Sequence, residues 1–222
     1  MDGKHFKRSA PAGTVATVPV GALGTNCYLV DDGAGGVVVV DPGDDAAAIV
    51  RSLAGRPVSL VLVTHNHFDH VGAVDELVAQ SRSGWTLGAV DAAGLQASLD
   101  ASARDFGRRV RVGSEPALGL HDGDTVEVGK LRFKVVATPG HTPGGVTYFD
   151  AEHGLAFTGD TLFAGSAGRT DLLGGDQGAL FASLARLGTL PPETRVYPGH
   201  GPASTIGKEL RENPFLRHAM RG

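Results

Sequence analysis

Seven histidine and aspartate residues have the types and spacing of a metal centre. Thr64-His-Asn-His-Phe-Asp-His70 sets four nitrogen or oxygen ligands within six residues. Strand alternation puts His65 and His67 on one side, and the following turn brings Asp69 and His70 round beside them. Three further segments share one pattern, in which a hydrophobic strand ends in a turn whose ligand directly follows glycine: Val135–His141, Ala156–Asp160 and Val196–His200. Glycine permits the tight turn that aims a side chain back over the strand ends. One edge would then collect His65, His67, Asp69, His70, His141, Asp160 and His200. Seven such donors exceed a tetrahedral zinc site. They suit two cations ~3.5–4 Å apart, bridged by a carboxylate and a water, which polarise a carbonyl and create hydroxide at neutral pH.

The elements that position these residues alternate between strands and helices. Strands are expected at Thr14–Val20, Asn26–Val30 and Val37–Val40, split by Gly and Asp turns. Asp44–Ala54 reads as a helix with carboxylates at its N-cap and Gly55 at its end. Val58–Val63 is a continuous apolar run, the pattern of a strand buried on both faces, and it leads directly into the histidine cluster. A helix at Val74–Ser81, a strand at Trp85–Val90 and a helix at Ala92–Phe106 follow. Strands at Thr125–Val128, Leu131–Val136, Val146–Phe149 and Leu155–Thr158, then helices at Gly178–Leu187 and Ile206–Phe215, complete a second half of the same plan. Two strand-rich halves with helices predict an α/β (α+β) fold of two packed sheets, helices outside. Residues 11–222 are expected to form a single domain after a flexible N-terminus at 1–10.

Composition narrows the function classes. The chain has 222 residues, 41% hydrophobic and 20% charged, with a net charge of −4. No basic run suits phosphate neutralisation, which argues against nucleic acid as a partner. The apolar runs are far shorter than the ~18 residues that span a bilayer, so no membrane partner is expected. The N-terminus lacks a secretory pattern, making the cytoplasm the expected compartment. A single cysteine, Cys27, excludes internal disulfides and any site of several thiolates.

The seven residues, together with Gly159-Asp-Thr-Leu-Phe163, Gly165-Ser-Ala-Gly-Arg-Thr-Asp171, Pro198-Gly-His-Gly-Pro-Ala-Ser-Thr205 and Asn213-Pro-Phe-Leu216, resemble the metallo-β-lactamase-fold hydrolase superfamily. The similarity covers almost the whole chain. It is greatest to the glyoxalase II-like branch, in particular the short bacterial hydroxyacylglutathione hydrolases. The resemblance implies an αββα sandwich of two mixed sheets in which His65, His67 and His141 hold a first metal, Asp69, His70 and His200 a second, and Asp160 bridges. It implies two divalent ions, zinc first and iron or manganese as substitutes. The implied substrate is a small-molecule thioester, an S-2-hydroxyacyl conjugate of a low-molecular-weight thiol. A metal-bridging hydroxide would cleave it, with Asp69, His65 and His67 as the catalytic set.

There are departures. Longer glyoxalase II enzymes carry a basic C-terminal extension that grips glutathione, and this sequence, ending at Gly222, is not expected to contain it. Gly168-Arg-Thr-Asp171 also resembles the persulfide dioxygenases, whose single iron would here sit on His65, His141 and Asp160. Other superfamily hydrolases, acting on lactones or phosphodiesters, and a non-catalytic metal-holding domain are further alternatives. β-Lactam hydrolysis is set lower because the usual thiolate ligand is missing. The oligomeric state stays open.

Residues outside the cluster have simpler readings. Cys27 lies in an apolar strand and reads as a buried small hydrophobe. His5, His121, His153 and His218 read as solvated. Asp41 either orients a ligand histidine or belongs to an Asp-Pro-Gly turn. Lys208 and Arg211 form a solvated helix face or meet an anionic substrate tail. Arg169 is the candidate for binding substrate, through bidentate contacts to a carboxylate, with pairing to Asp171 as the alternative.

Overall fold

A computed structural model describes residues 10–81 and 84–221. The elements in chain order are β1 (Val15–Val20), β2 (Thr25–Asp31), β3 (Val37–Val40), α1 (Ala46–Leu53), β4 (Val58–Leu62), α2 (Phe68–Val71), α3 (Val74–Val78), β5 (Trp85–Gly88), α4 (Ala89–Asp105) and β6 (Leu118–Leu120). There follow β7 (Thr125–Val128), β8 (Leu131–Ala137), β9 (Val146–Asp150), β10 (Leu155–Gly159), β11 (Leu162–Phe163), β12 (Ser166–Ala167), α5 (Gln177–Leu187), β13 (Arg195–Pro198), β14 (Ser204–Thr205), α6 (Ile206–Glu212) and α7 (Pro214–Ala219).

One six-stranded sheet runs β1-β2-β3-β4-β5-β6 and a second runs β14-β13-β10-β9-β8-β7. Both are mixed. In the first, β1 and β2 pair antiparallel while β3, β4, β5 and β6 are parallel to one another. In the second, only β10 and β13 pair in parallel.

Strand alternation divides the valine runs between two cores. Val38 and Val40 point inward with Tyr28, Leu60 and Leu62 against Phe133, Tyr148 and Phe157 of the other sheet. Val37, Val39 and Val61 point outward against Ile49, Leu77 and Leu99 of the covering helices. On the far side, Val136 and Val196 pack under Leu180, Leu184 and Leu216. Burial on both faces explains why β3 reads as an unbroken apolar run and β4 as one interrupted only by Ser59. The architecture is the αββα sandwich that the two halves imply, matching the metallo-β-lactamase fold.

Local differences have identifiable causes. Asp45 stands at the N-cap of α1 in a left-handed conformation (φ 51°) and caps nothing, because its carboxylate accepts from the Gly21 N–H at 2.9 Å. The helix after the histidine cluster stops at Val78 rather than Ser81. The fifth strand stops at Gly88, and α4 starts at once. The late helix expected at 206–215 is two helices, because Asn213 is held extended before Pro214 and its Oδ1 accepts from the Phe215 and Leu216 amides. His153 is paired rather than solvated, its Nδ1 lying 2.9 Å from the buried Asp150 carboxylate. His218 packs edge-on against Phe181, and His121 is exposed. The N-terminus at 1–10, His5 included, lies outside the described residues except for Ala10.

Candidate metal centre

All seven ligand candidates converge at one edge of the sandwich. The β4 strand ends at Leu62 and the chain turns through Thr64 and His65 into α2, a single helical turn. That turn presents His67 at its N-cap, Asp69 in its first turn and a wholly buried His70. The second sheet contributes His141 after β8, Asp160 after β10 and His200 after β13. Glycine is required where these connections crowd. A Cβ at Gly199 would collide with the Asp160 carboxylate and the His70 ring, and Gly159 adopts φ +49° directly against Thr64.

The ligand atoms form overlapping groups, each with its atoms within 4.8 Å of one another: His65, His67 and His141; His65, His70 and Asp160; and Asp69, His70 and His200. Asp160 lies between them. Its Oδ1 is 3.5 Å from His70 Nε2, and its Oδ2 is 3.5 Å from both His141 Nε2 and His200 Nε2. Asp69 Oδ2 is 3.2 Å from His200 Nε2. The Nε2 atoms of His65, His70 and His141, and Oδ1 of Asp160, are buried without a hydrogen-bond partner. Orphaned buried polar atoms are costly unless something satisfies them. A pair of cations accounts for these atoms as a set, so the residues present fit two metal ions.

A surrounding layer fixes the tautomers. The Thr64 hydroxyl donates to Asp41 at 2.8 Å, so at 3.1 Å it accepts from His65 Nδ1 and leaves His65 Nε2 with its lone pair. Asp41 Oδ2 lies 3.0 Å from His70 Nδ1, and its Oδ1 receives the Thr64 amide. The open reading of Asp41 thus resolves toward orienting a histidine, although it also occupies a strained turn with φ 52°. His141 Nδ1 donates to the Arg169 carbonyl at 2.8 Å. The Thr25 hydroxyl donates to Asp69 Oδ2 at 2.8 Å.

The sequence reading passed over Asp91. This buried residue in the first turn of α4 accepts from the Asn66 amide, the Thr142 hydroxyl and the Gly144 amide at 3.1, 2.7 and 2.6 Å. It ties the histidine loop of the first sheet to the His141 loop of the second. Asn26 and Tyr28 play a similar part, both donating to the Pro198 carbonyl beside His200. No short motif marks any of these residues.

Electrostatics divide the histidines. Burial, reinforced by neighbouring imidazoles, pushes His65 well down and His67 to about 3, so both are neutral near pH 7. Burial also disfavours a charged His70. The carboxylates of Asp69, Asp41 and Asp160 outweigh it and push the group up to about 10 in the metal-free protein. Burial opposes ionisation of Asp69, but His70, His200 and Thr25 hold it well below the usual carboxylate range. A cation entering here meets lone pairs already aimed and must displace a proton from His70.

The centre opens into a cavity of about 610 Å³ walled by Leu23, Phe68, Phe106, Phe163, Leu172 and Leu173. Arg169 reaches this cavity, but its guanidinium grips Asp171 at 2.6 and 2.7 Å and holds that carboxyl down at about 2. Cys27 is buried, as expected, and burial pushes its thiol up. Lys208 and Arg211 are exposed on α6. Among the described residues, no helix is long and apolar enough to cross a membrane.

Residues 20–200 match the metallo-beta-lactamase superfamily, and the chain belongs to that family of metal-dependent hydrolases. It is 34% identical over 209 residues to the hydroxyacylglutathione hydrolase GloC of Haemophilus influenzae, covering 91% of this chain and 97% of that protein. The crystal structure of the BLEG-1 B3 metallo-beta-lactamase is similar with a TM-score of 0.87 and 37% identity, over 91% of this chain and 99% of that one. TTHA1623, in a di-iron-bound form, is similar with a TM-score of 0.81 and 43% identity, over 90% and 100%.

Proposed function

We propose that the chain is a dinuclear thioesterase that hydrolyses S-2-hydroxyacyl conjugates of a low-molecular-weight thiol. The observation carrying this reading is the position of Asp160, whose carboxylate reaches both ligand groups, Oδ2 lying beside His141 of one and His200 of the other and Oδ1 beside His70, and which suits a bridge between two ions. The similarity to a hydroxyacylglutathione hydrolase supports the substrate class. His65, His67 and His141 would hold one ion and Asp69, His70 and His200 the other, with Asp160 shared. Zinc suits these imidazole and carboxylate donors, and iron and manganese are compatible. When bound, the two ions would supply a hydroxide at neutral pH and polarise the thioester carbonyl.

The protein's own residues set the conditions for that chemistry. Neutral His65 and His67 keep their lone pairs inward at working pH. Thr25 fixes the Asp69 carboxylate, which orients the nucleophile, and the walls of the cavity exclude water from the acyl group. A thiolate leaves readily, so a strong general acid near the sulfur is unnecessary. The reading puts the enzyme in the cytoplasm, a compartment that suits a substrate carried on a reduced thiol.

We assign Arg169 to an anionic end of the substrate. An exposed ion pair such as Arg169–Asp171 is worth little, so a substrate anion can compete for the guanidinium. Arg169→Ala should raise KM roughly tenfold with kcat little changed on a charged thioester, the cost of one charge-assisted contact. A matching loss on an uncharged thioester would make the residue structural.

A second reading, β-lactam hydrolysis, is favoured by the likeness to a B3 metallo-beta-lactamase. The deciding experiment compares turnover of S-lactoylglutathione, a chromogenic cephalosporin, and a glutathione persulfide with oxygen uptake, all on one preparation. Thioester turnover well above the other two supports the proposal. Dominant β-lactam turnover or oxygen consumption contradicts it.

A further inference from the structure

A second cleft of about 420 Å³ adjoins the reactive cavity and differs from it in chemistry. Leu23, Phe68, Asp69 and Arg108 line both, so the two are continuous at the Asp69 side of the metal centre. The segment leaving α4 gives the second cleft Arg108, Arg109 and Arg111, all exposed. Arg169 lines the other cavity rather than this cleft; among the described residues the three guanidiniums here have no ion-pair partner. The facing carboxylate is Asp44, which accepts from the Asp45 amide at 2.7 Å, and Asp69 is engaged with Thr25 and the histidines. On the other side, Asp105 lines the apolar cavity. Counting Asp44 against the three arginines leaves the cleft positive.

We propose that this cleft binds the multiply charged, phosphate-bearing end of the thiol carrier while the apolar cavity takes the acyl group. The inference rests on the thioesterase reading and names its substrate class. A thioester has two arms on either side of one carbonyl. The site offers two continuous compartments, an apolar one over the metal centre and a cationic one beside it at Asp69. The cationic compartment has more charge than glutathione can use, since its two carboxylates are offset by an ammonium. Guanidinium is a planar donor that grips phosphate oxygens bidentately, and three of them in four residues suit several phosphates better than a single carboxylate. Exposed arginines also draw an anion in from solution, an effect that salt screens.

The test separates carrier binding from catalysis. Desulfo-coenzyme A carries the phosphates but no thiol to bind metal, and its affinity for the metal-free protein is read by calorimetry at low and high salt. Binding should weaken with salt. In the double variant R109Q/R111Q it should fall ~10-fold or more, the scale of losing one or two charge-assisted contacts, while R109K/R111K should keep most of it. Turnover is then compared for one acyl group carried on coenzyme A, glutathione and pantetheine. The parent should prefer the coenzyme A thioester in kcat/KM, and that preference over pantetheine should shrink ~10-fold in R109Q/R111Q. Turnover of all three carriers at similar efficiency, a preference for glutathione, or no binding of desulfo-coenzyme A overturns the assignment of the cleft and leaves the thioesterase reading standing. Absence of turnover on every thioester overturns that reading, and the carrier assignment with it.

Discussion

The two sheet edges that meet at the centre supply their ligands in opposite ways. The first delivers four from one turn after β4; of the groups that orient them, Asp41 and Thr64 come from the same parallel strand ends and Thr25 from β2. The second delivers three from three separate connections, each after a glycine, and one of its supports arrives from far along the chain. The Arg169 carbonyl that holds His141 lies 28 residues away, and the Asn26 amide that holds the His200 loop lies 172 residues from Pro198. One edge is therefore fixed by local spacing and the other by how the two sheets pack. Asp160 belongs to the second edge yet faces ligands from both.

That contrast predicts a graded series of effects. Asp160→Ala should be the most severe, depleting both ions and lowering the melting temperature, because ligand binding to the folded state contributes to stability. Metal analysis beside thermal melting checks this, and unchanged metal content would remove the bridge assignment. Asp69→Ala should spare the His65, His67 and His141 group, lose most of the other ion, and lower thioester hydrolysis by at least ~10²-fold, the scale of losing nucleophile orientation. Unchanged hydrolysis with one ion retained would refute it.

Asp91→Ala tests the tie between the edges. It leaves the Asn66 and Gly144 amides and the Thr142 hydroxyl without their acceptor, which should cost about 3 kcal/mol in chemical denaturation. A cost below about 1 kcal/mol would show that the loops hold their places without it.

A further effect is one of pH, on metal-free protein. His70 has its folded value raised to about 10, above the ~6.5 of an unfolded histidine. The stability from its proton is therefore complete below ~6.5 and lost as pH climbs toward 10. Urea midpoints should fall over that window, and His70→Gln should flatten the trend. An identical slope in the variant would assign the effect elsewhere.

The same contrast explains what could be read from the sequence. The histidine cluster was legible because its ligands are neighbours in the chain. His141, Asp160 and His200 were legible only through a repeated strand, glycine and ligand pattern. Asp91 was not legible, because α4 buries it with Ser98 and Ser102 alongside Leu99 and Ala101, so its inner face mixes polar and apolar residues. The main strands followed their valine runs, whereas β6, β11, β12 and β14 are two or three residues long and exist through pairing with neighbours. The double role of Asn213, ending α6 and capping α7, depends on Pro214 forcing it extended.

The central claim is that both edges together build one two-ion hydrolytic centre. It is tested most directly by metal stoichiometry, measured by mass spectrometry on protein purified without added metal and then titrated with zinc, with S-lactoylglutathione turnover followed at each step. The account predicts two ions per chain, with turnover rising as the second ion binds. Saturation at one ion, with full activity or with oxygen uptake on a persulfide, would contradict it.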